Sequence, residues 1–381
     1  MKIKLKLFKL IIISLFIFLS FSSQALAENI RNHDIEVPQQ KYHQAKVIEV
    51  LEEKEEFISD DYILKTQILS IEITNGDKKG DTAIIENEGI ASLDRFRQLK
   101  EGDKIVVVEN ISNEEGKYFF YDYNRFSPLI IILIIFALFV IYIGRKRGLG
   151  ALLGLCFSIF ILFYFIIPQI ITGANPIYIT LLGAFLIATG SLFLSHGFNR
   201  RTVLTWLSTI TTLFVAIGLS TLLIDYLSLF GMGSEEAVYL SIGEYSSINL
   251  KGLLLSAMVI GTLGVLDDVT ATQTAIVWEL KKTNFNLKWR ELYSKSLVVG
   301  REHIASLVNT LALAYAGAAL PLFILLYTNE FVPFWLKVNS EPIAEEIART
   351  VLGSTALMLA VPISSLFAAY FISRMKMKEE K

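Results

Sequence analysis

Two segments in the C-terminal half of the chain place ionisable, amide and hydroxyl side chains in an otherwise apolar setting. The first runs from Gly261 to Leu280 and contains Asp267 and Asp268, followed by a run of Thr and Gln. An aspartate near the centre of a membrane helix costs about 2.5 to 3.5 kcal/mol on insertion scales, so such residues usually face a bundle interior or an aqueous cavity. A carboxylate in that setting can bind a cation or carry a proton, because desolvation disfavours its charged form.

A second interpretation of the two aspartates stays open. If the helix begins at Leu250, a rise of about 1.5 Å per residue places Asp267 about 26 Å along it, where cytosolic headgroups would simply solvate the carboxylate. The polar run that follows favours a polar lining instead. We weight Asp268 above Asp267, because helical spacing predicts that Asp268 shares a face with small and polar residues, namely Gly261, Gly264, Thr272 and Gln273.

The second segment, from Val299 to Thr310, opens the following apolar span. Arg301 and Glu302 are candidates to pair with Glu279 or Asp268, although an arginine at this position is also typical of interfacial snorkelling. His303 is of a residue type suited to proton transfer, and Asn309 needs a partner helix to satisfy its amide. The candidate polar path therefore consists of eight residues: Asp268, Thr270, Thr272, Gln273, Glu279, Arg301, His303 and Asn309.

Several kinds of chemistry have no support in the sequence. The chain contains no GxxxxGK[ST], HExxH or GxSxG motif, which argues against ATP hydrolysis, zinc proteolysis and serine esterase activity. The single cysteine, Cys156, excludes an intrachain disulfide, and the four histidines are widely scattered. We therefore expect no enzyme activity, no cofactor, no metal site and no nucleic-acid partner.

The elements that hold these residues are predicted to be membrane helices. The chain has 381 residues, 53% of them hydrophobic, and a mean hydropathy of +0.51, which exceeds what a water-surrounded surface carries. Seven runs are long enough to cross a bilayer: 128–143, 148–167, 177–195, 202–224, 250–266, 304–327 and 350–372. The sequence thus predicts an α-helical polytopic membrane protein with seven transmembrane helices in residues 127–373.

Basic residues set the predicted orientation. The segments 145–147, 196–201, 279–301 and 374–381 carry nearly all the Lys and Arg that flank these spans, and the positive-inside rule places such segments in the cytosol. Residues 1–27 resemble a signal peptide ending at an Ala-Leu-Ala site; an uncleaved first helix is the alternative. We expect a bacterial cytoplasmic membrane protein with its N-terminal domain outside and its C-terminal tail, 374–381, in the cytosol.

Residues 28–126 are predicted to form a small extracytoplasmic all-β domain, an OB-like barrel or a sandwich. Five segments are rich in β-branched and aromatic residues, and Gly-containing turns separate them. The run Ile105–Val108 indicates a fully buried strand. The five predicted strands lie at 46–50, 64–74, 82–85, 104–109 and 117–123.

Three further features concern the helical region. Basic and aromatic residues alternate over 281–301, which predicts an interfacial amphipathic helix with affinity for anionic lipid; a helix that docks a protein partner has the same pattern. Pro321 predicts a kink. Ser340, followed by Glu341 and Pro342, predicts a helix start.

The same segments resemble the YibE/F family of bacterial membrane proteins. The likeness rests on Gly264–Thr270, Trp278–Leu280, Gly300–Glu302 and Asn309–Pro321, with a weaker match at Gly197–Thr202. Asp268 falls on the family's Asp-Val pair, which adds to its weight. The resemblance implies a multi-span inner-membrane protein and no established activity.

The leading hypothesis is transport or permeation of a small solute or ion along the candidate polar path. The alternative is a non-catalytic accessory or signalling protein whose β-domain binds an extracytoplasmic partner. The bilayer is the expected partner in both cases, and a homo-oligomer is a further candidate.

Overall fold

The computed structural model describes residues 41–59, 62–90, 98–109, 117–243, 245–328 and 330–375. The chain divides into two compact units, one that ends at Phe139 and one that begins at Val140, and each is described by itself. The predicted signal peptide and most of the predicted C-terminal tail lie outside the described residues.

The N-terminal unit is a five-stranded antiparallel sheet in the order β3-β2-β1-β4-β5. The edge strands β3 and β5 contact each other, so the sheet curls into a half-barrel. Each of the five predicted segments corresponds to an observed strand, but β1 and β3 are longer than predicted by 14 and 5 residues. The strands are β1 (Lys41–Ser59), β2 (Tyr62–Ile73), β3 (Thr82–Ile90), β4 (Lys104–Glu109) and β5 (Tyr118–Tyr123).

One face of this sheet carries the core. Ile71 and Val47 are fully buried on it, while their neighbours along the strands are exposed or only partly covered. The prediction that Ile105–Val108 is fully buried is wrong, because Ile105 and Val107 are buried and the residue after each is only partly covered. A sheet packed on one side buries alternate residues only.

Glu109, at the end of β4, contacts side chains from β1 and from the turn between β2 and β3. Its carboxylate accepts hydrogen bonds from Lys78 Nζ at 2.5 Å and His43 Nε2 at 3.1 Å, and only 9% of the side chain is exposed. The Lys78 ammonium is the main reason why the pKa of Glu109 lies below its ordinary value of 4.5. The same bond raises the pKa of Lys78.

The remainder of the described chain is helical. A π-helical segment, Leu162–Ile166, separates α1 from α2. The helices are α1 (Phe126–Ile161), α2 (Ile167–Ile171), α3 (Pro176–His196), α4 (Arg200–Tyr226), α5 (Glu235–Ser241), α6 (Leu250–Thr283), α7 (Trp289–Ala318), α8 (Leu320–Thr328), α9 (Phe334–Val338) and α10 (Glu341–Ser373).

Within the described residues, five helical stretches are long and apolar enough to cross a membrane, or six if the bent pair α7 and α8 counts as one span. The predicted number of seven is therefore not confirmed. Two of the seven predicted spans fall in one 46-residue element, Phe126–Ile171, which contains a non-helical residue, Arg145, with φ 51° and ψ −130°. If this element is counted as two spans and the bent pair as one, the number of spans is seven.

The predicted kink near Pro321 is confirmed. The axes of α7 and α8 differ by 67°, and Ala319 lies between the two helices outside the regular helical conformation. Pro321 has no N–H to donate to the preceding turn, so the helical ladder cannot continue through it. The predicted helix start is also confirmed, because α10 begins at Glu341, directly after Ser340.

The predicted amphipathic helix over 281–301 is wrong as one element. Helix α6 continues to Thr283, and α7 begins only at Trp289. Lys281 Nζ donates to the carbonyls of Phe285 and Leu287, at 2.6 and 3.0 Å, and so ties the intervening loop to the end of α6.

Helices α3, α4, α6 and α10 form the core of the helical unit. Leu213, Leu263 and Leu266 belong to its largest buried cluster. Helix α10 packs against α4, α6 and α7, and its buried Ala356 and Ala360 permit a close approach.

Candidate functional site

Helix α6 has a buried face and an exposed face, and the polar residues divide between them. Thr270 and Gln273 lie on the buried face, whereas Asp268 and Glu279 are exposed. Thr272 is partly buried. The prediction that Asp268 and Gln273 share a face is wrong, because five residues correspond to a rotation of about 140° around an α-helix.

Asp267, which the sequence ranks below Asp268, is the aspartate that turns inward. Its Oδ1 atom is buried and has no hydrogen-bond partner among the described residues. Ser191 of α3 is the polar side chain beside its carboxyl group. The structure therefore reverses the predicted placement of the two aspartates.

Thr270 links α6 to α4. Its Oγ1 lies 2.6 Å from Thr209 Oγ1, and both side chains are fully buried. Since the Thr270 hydroxyl donates to the Leu266 carbonyl at 2.8 Å, Thr209 donates to Thr270. This satisfies two hydroxyls inside the bundle.

Gln273 links three helices. Its Nε2 donates to the Ser296 carbonyl of α7 at 2.8 Å and to Ser365 Oγ of α10 at 2.7 Å. Gly300 allows this approach, since a Cβ there would lie 3.1 Å from Gln273 Nε2 and 2.4 Å from a methyl group of Val361. Gln273 is thus a structural junction as well as a candidate path residue.

The exposed charges of α6 lie near basic residues at the ends of other helices. Asp268 is within electrostatic range of His196, as are Arg201 and Arg147. Glu279 is similarly close to Arg201. In the described part of the chain no three His, Cys, Asp or Glu side chains converge as a metal site requires, so this group is a charged surface along the C-terminal half of α6.

The predicted partners on α7 lie elsewhere. Arg301 and Asn309 are exposed, and no ion pair among the described residues joins Arg301 to Glu279 or Asp268. His303 is partly buried, and its Nε2 is buried without a hydrogen-bond partner in the described structure. The predicted eight-residue path is therefore not one continuous lining.

A cavity of about 630 Å³ lies between the N-terminal ends of α6 and α10 and the bend between α7 and α8. Apolar side chains of α6 and α8 line one side. The charged residues that line it are Glu235, Glu236, Glu345, Glu346 and Arg349.

A loop closes one wall of this cavity. Glu341 Oε1 accepts hydrogen bonds from the backbone N–H groups of Phe230, Gly231 and Met232, at 2.6 to 3.2 Å. Glu345 Oε1 accepts from Gly233 N at 3.0 Å. The first turns of α10 therefore hold residues 230–233 in place.

Comparison with known families covers both units. Residues 132–374 match the family described as YibE/F-like protein, and residues 39–122 match the YibE/F family N-terminal domain. The chain belongs to the YibE/F family. Comparison with curated proteins and with solved structures gives no match. The resemblance stated from the sequence is confirmed, and all the polar segments that carry it lie inside the matched region of this YibE/F protein.

Sequence reasoning missed several residues that the fold brings to the YibE/F site. Ser191, Thr209 and Ser365 come from three helices remote in sequence, and nothing local distinguishes them from other hydroxyl residues. Asp267 carried a usable signal, because on a helical projection it lies about 40° from Leu263 and about 60° from Thr270, close to the face that packs inside.

Proposed function

We propose that this YibE/F protein moves a small cation, or a solute coupled to a proton, across the membrane, and that the Asp267 carboxyl group binds the cation or proton. The observation that carries the proposal is the buried Oδ1 atom of Asp267, which has no hydrogen-bond partner among the described residues. An ionisable group inside a membrane bundle is a functional candidate by default.

The energetic argument concerns an unpaired charge. A carboxylate moved out of water without a counter-charge costs several kcal/mol even after relaxation. Ser191 supplies one polar neighbour, and no salt bridge to Asp267 occurs in the described part of the chain. A bound cation or a proton would remove this cost. The Asp267 carboxyl group should therefore bind a cation or a proton that reaches it from either side of the membrane.

Access from one side is supported by the charges along the C-terminal half of α6. Asp268 follows Asp267 directly and is exposed, with His196 and Arg201 nearby. Their charged side chains would attract water and so keep the entrance to the Asp267 site accessible to ions. We assign Asp268 and Glu279 to this entrance and Asp267 to the binding step.

Access from the opposite end is supported by the acidic cavity. The cavity lining reaches Ala257 of α6, and Asp267 lies ten residues further along, about 15 Å at the helical rise. Between them the buried Thr262 donates to the Met258 carbonyl. Passage therefore requires helices α6 and α10 to separate over this stretch, for which the bend between α7 and α8 is a suitable hinge.

The test is a flux assay on the full chain in liposomes. With a potential imposed by K⁺ and valinomycin, a lumenal pH dye reports proton movement, and separate dyes report Na⁺ and K⁺. We expect flux above that of empty liposomes, a loss of most of it in Asp267→Asn, and a smaller loss in the matched control Asp268→Asn. Elution profiles and melting temperatures in detergent must show both variants to be folded.

Two results would contradict the proposal. One is wild-type flux in folded Asp267→Asn protein, which would remove Asp267 from the path. The other is no flux of any of the three ions above empty liposomes, with or without a screened set of small metabolites.

The alternative, an accessory or signalling protein, is favoured by one feature of the β-domain. The described pairing of β1 with β4 ends at Lys46, whereas β1 and β2 continue as a hairpin to Ser59 and Tyr62. Phe57, near the end of this hairpin, is 74% exposed. We take this exposed aromatic side chain as a candidate contact for a protein partner. This alternative would be supported if Phe57→Ser failed to replace the wild-type protein in cells while its ion flux in liposomes stayed unchanged.

A further inference from the structure

One face of α7 exposes small and polar side chains where a lipid-facing helix would expose large apolar ones. From Arg301 to Ala318 the exposed positions occur in adjacent pairs every four residues. Leu313 is the sole large apolar residue among these ten positions. On α4, by contrast, the outward positions include Phe214 and Leu222, which are 63% and 68% exposed.

The opposite side of α7 is already occupied. Leu307 and Leu311 pack against the main buried cluster, and α7 makes its largest contact with α10. The polar face of α7 therefore has no partner within the described chain. In a bilayer, an exposed amide such as that of Asn309 needs such a partner, because lipid tails offer no hydrogen bonds.

We propose that this face is the interface between two copies of the chain, with α7 of one copy packed against α7 of the other around a two-fold axis along the membrane normal. Both copies insert with the same orientation, so the two α7 helices run parallel. In a parallel pair, residues on one flank of a helix meet residues on the opposite flank of its partner, as e and g positions do in a coiled coil.

Each adjacent pair of exposed residues on α7 places one residue on each flank of the face. The two flanks are chemically complementary. The first flank carries Arg301, Ala305, Asn309, Leu313 and Gly317. Three of its residues are large or polar, and the other two, Ala305 and Gly317, are small.

The second flank carries the following residue in each case, namely Glu302, Ser306, Thr310, Ala314 and Ala318. Pairing of the two flanks therefore brings a positive charge to a negative charge, an amide to a hydroxyl and a leucine to an alanine. This complementarity selects a second copy of the chain, since both flanks belong to one helix.

The central pair can form a hydrogen bond without losing an existing one. Thr310 Oγ1 donates to the Ser306 carbonyl at 2.9 Å, which leaves its lone pairs available as acceptors. The Asn309 amide of the second copy can donate to them. No hydrogen bond of the Asn309 side chain to another described residue competes.

The spacing also fits close packing of two membrane helices. A repeat of small residues every four positions permits the right-handed crossing of GxxxG-type pairs. Ser306, Ala314 and Ala318 follow this repeat in one row. Large side chains at these positions would separate the helices.

Cross-linking of the full chain in native membranes tests the interface. In a background with Cys156 replaced by Ala, two differently tagged copies are co-expressed, one with Ala305→Cys and the other with Ser306→Cys. We expect the mixed dimer to form a disulfide more efficiently than either single-cysteine chain with itself. Leu222→Cys, on the exposed side of α4, is the matched control and should form no cross-link, because it lies outside the proposed interface.

A charge exchange provides the second test. Arg301→Glu and Glu302→Arg each place like charges opposite one another, so each should weaken dimerisation about tenfold in a liposome dilution assay. The double exchange should restore it. Asn309→Leu should also weaken the dimer. These readouts do not depend on ion flux, so they can fail while the proposed function stands.

Three outcomes would overturn the proposal. The first is a monomer at all densities, which would mean that lipid or water covers the face. The second is equal cross-linking at Leu222→Cys and at the α7 positions. The third is an adduct of Ser306→Cys with a different protein and none with a second copy, which would assign the face to another partner.

Discussion

The side chain of Gln273 on α6 donates a hydrogen bond of 2.7 Å to the Ser365 hydroxyl on α10, 92 residues away in sequence. The same amide nitrogen donates to the Ser296 carbonyl on α7, so one residue joins α6 to both α7 and α10.

We expect Gln273→Leu to destabilise the helical unit by about 1 to 2 kcal/mol, because the Ser365 hydroxyl and the Ser296 carbonyl would lose their donor inside the bundle. The measurement is the melting temperature of the full chain in detergent. Thr272→Val is the matched control, since Thr272 is only partly buried and its replacement should leave the melting temperature nearly unchanged. A larger effect at Thr272 would contradict the role given to Gln273.

The Glu109 cluster makes the stability of the β-domain dependent on pH. The folded pKa of Glu109 is lowered, chiefly by Lys78, so its contribution is present above the ordinary value of 4.5 and is lost as the pH falls through the lowered pKa. Glu109→Gln should remove about 1 kcal/mol at neutral pH and flatten the acid part of the stability curve. Hydrogen exchange of β4 in the full chain measures both effects.

The control for Glu109 is Glu72→Gln on the exposed side of β2. This variant should keep the wild-type pH profile. An unchanged acid limb in Glu109→Gln would show that other carboxylates control the acid transition.

Gly231 and Gly233 tolerate a methyl group to different degrees. Gly231 has φ +84°, and a Cβ there would lie 2.3 Å from the Leu250 carbonyl oxygen, whereas the nearest atoms at Gly233 belong to the Glu345 carboxyl group, which can move. We expect Gly231→Ala to cost about 1 to 3 kcal/mol and Gly233→Ala to cost less. Melting temperatures of the two variants give the order, and the reverse order would disprove the packing of this loop.

The predicted orientation can be tested with single cysteines in a Cys156→Ser background. Lys79 is the suitable β-domain position, because its neighbour Lys78 holds Glu109. We expect Lys79→Cys to react with an impermeant maleimide on intact cells and Lys282→Cys to react only after lysis, as the positive-inside rule requires. The opposite labelling pattern would invert the entire predicted topology.

Local features of the fold were predictable from the sequence alone. The five strands follow from β-branched residues between Gly-containing turns, the start of α10 follows from Ser340, and the bend follows from Pro321. Each depends on contacts within a few residues, so neighbouring side chains and backbone suffice to determine it. The family was likewise identifiable from contiguous segments.

The tertiary structure alone decided which face of each helix is covered. Hydropathy gives little information on this in a membrane bundle, because the lipid-facing and core-facing sides are both apolar. Asp267 and Asp268 are adjacent and chemically identical, yet packing against α3 buries one and leaves the other exposed. Asn309 was predicted to need a partner helix, but only the packing of α7 on α10 shows that this partner is absent from the described chain. Long-range packing fixes the rotation of a helix about its axis, and local sequence does not.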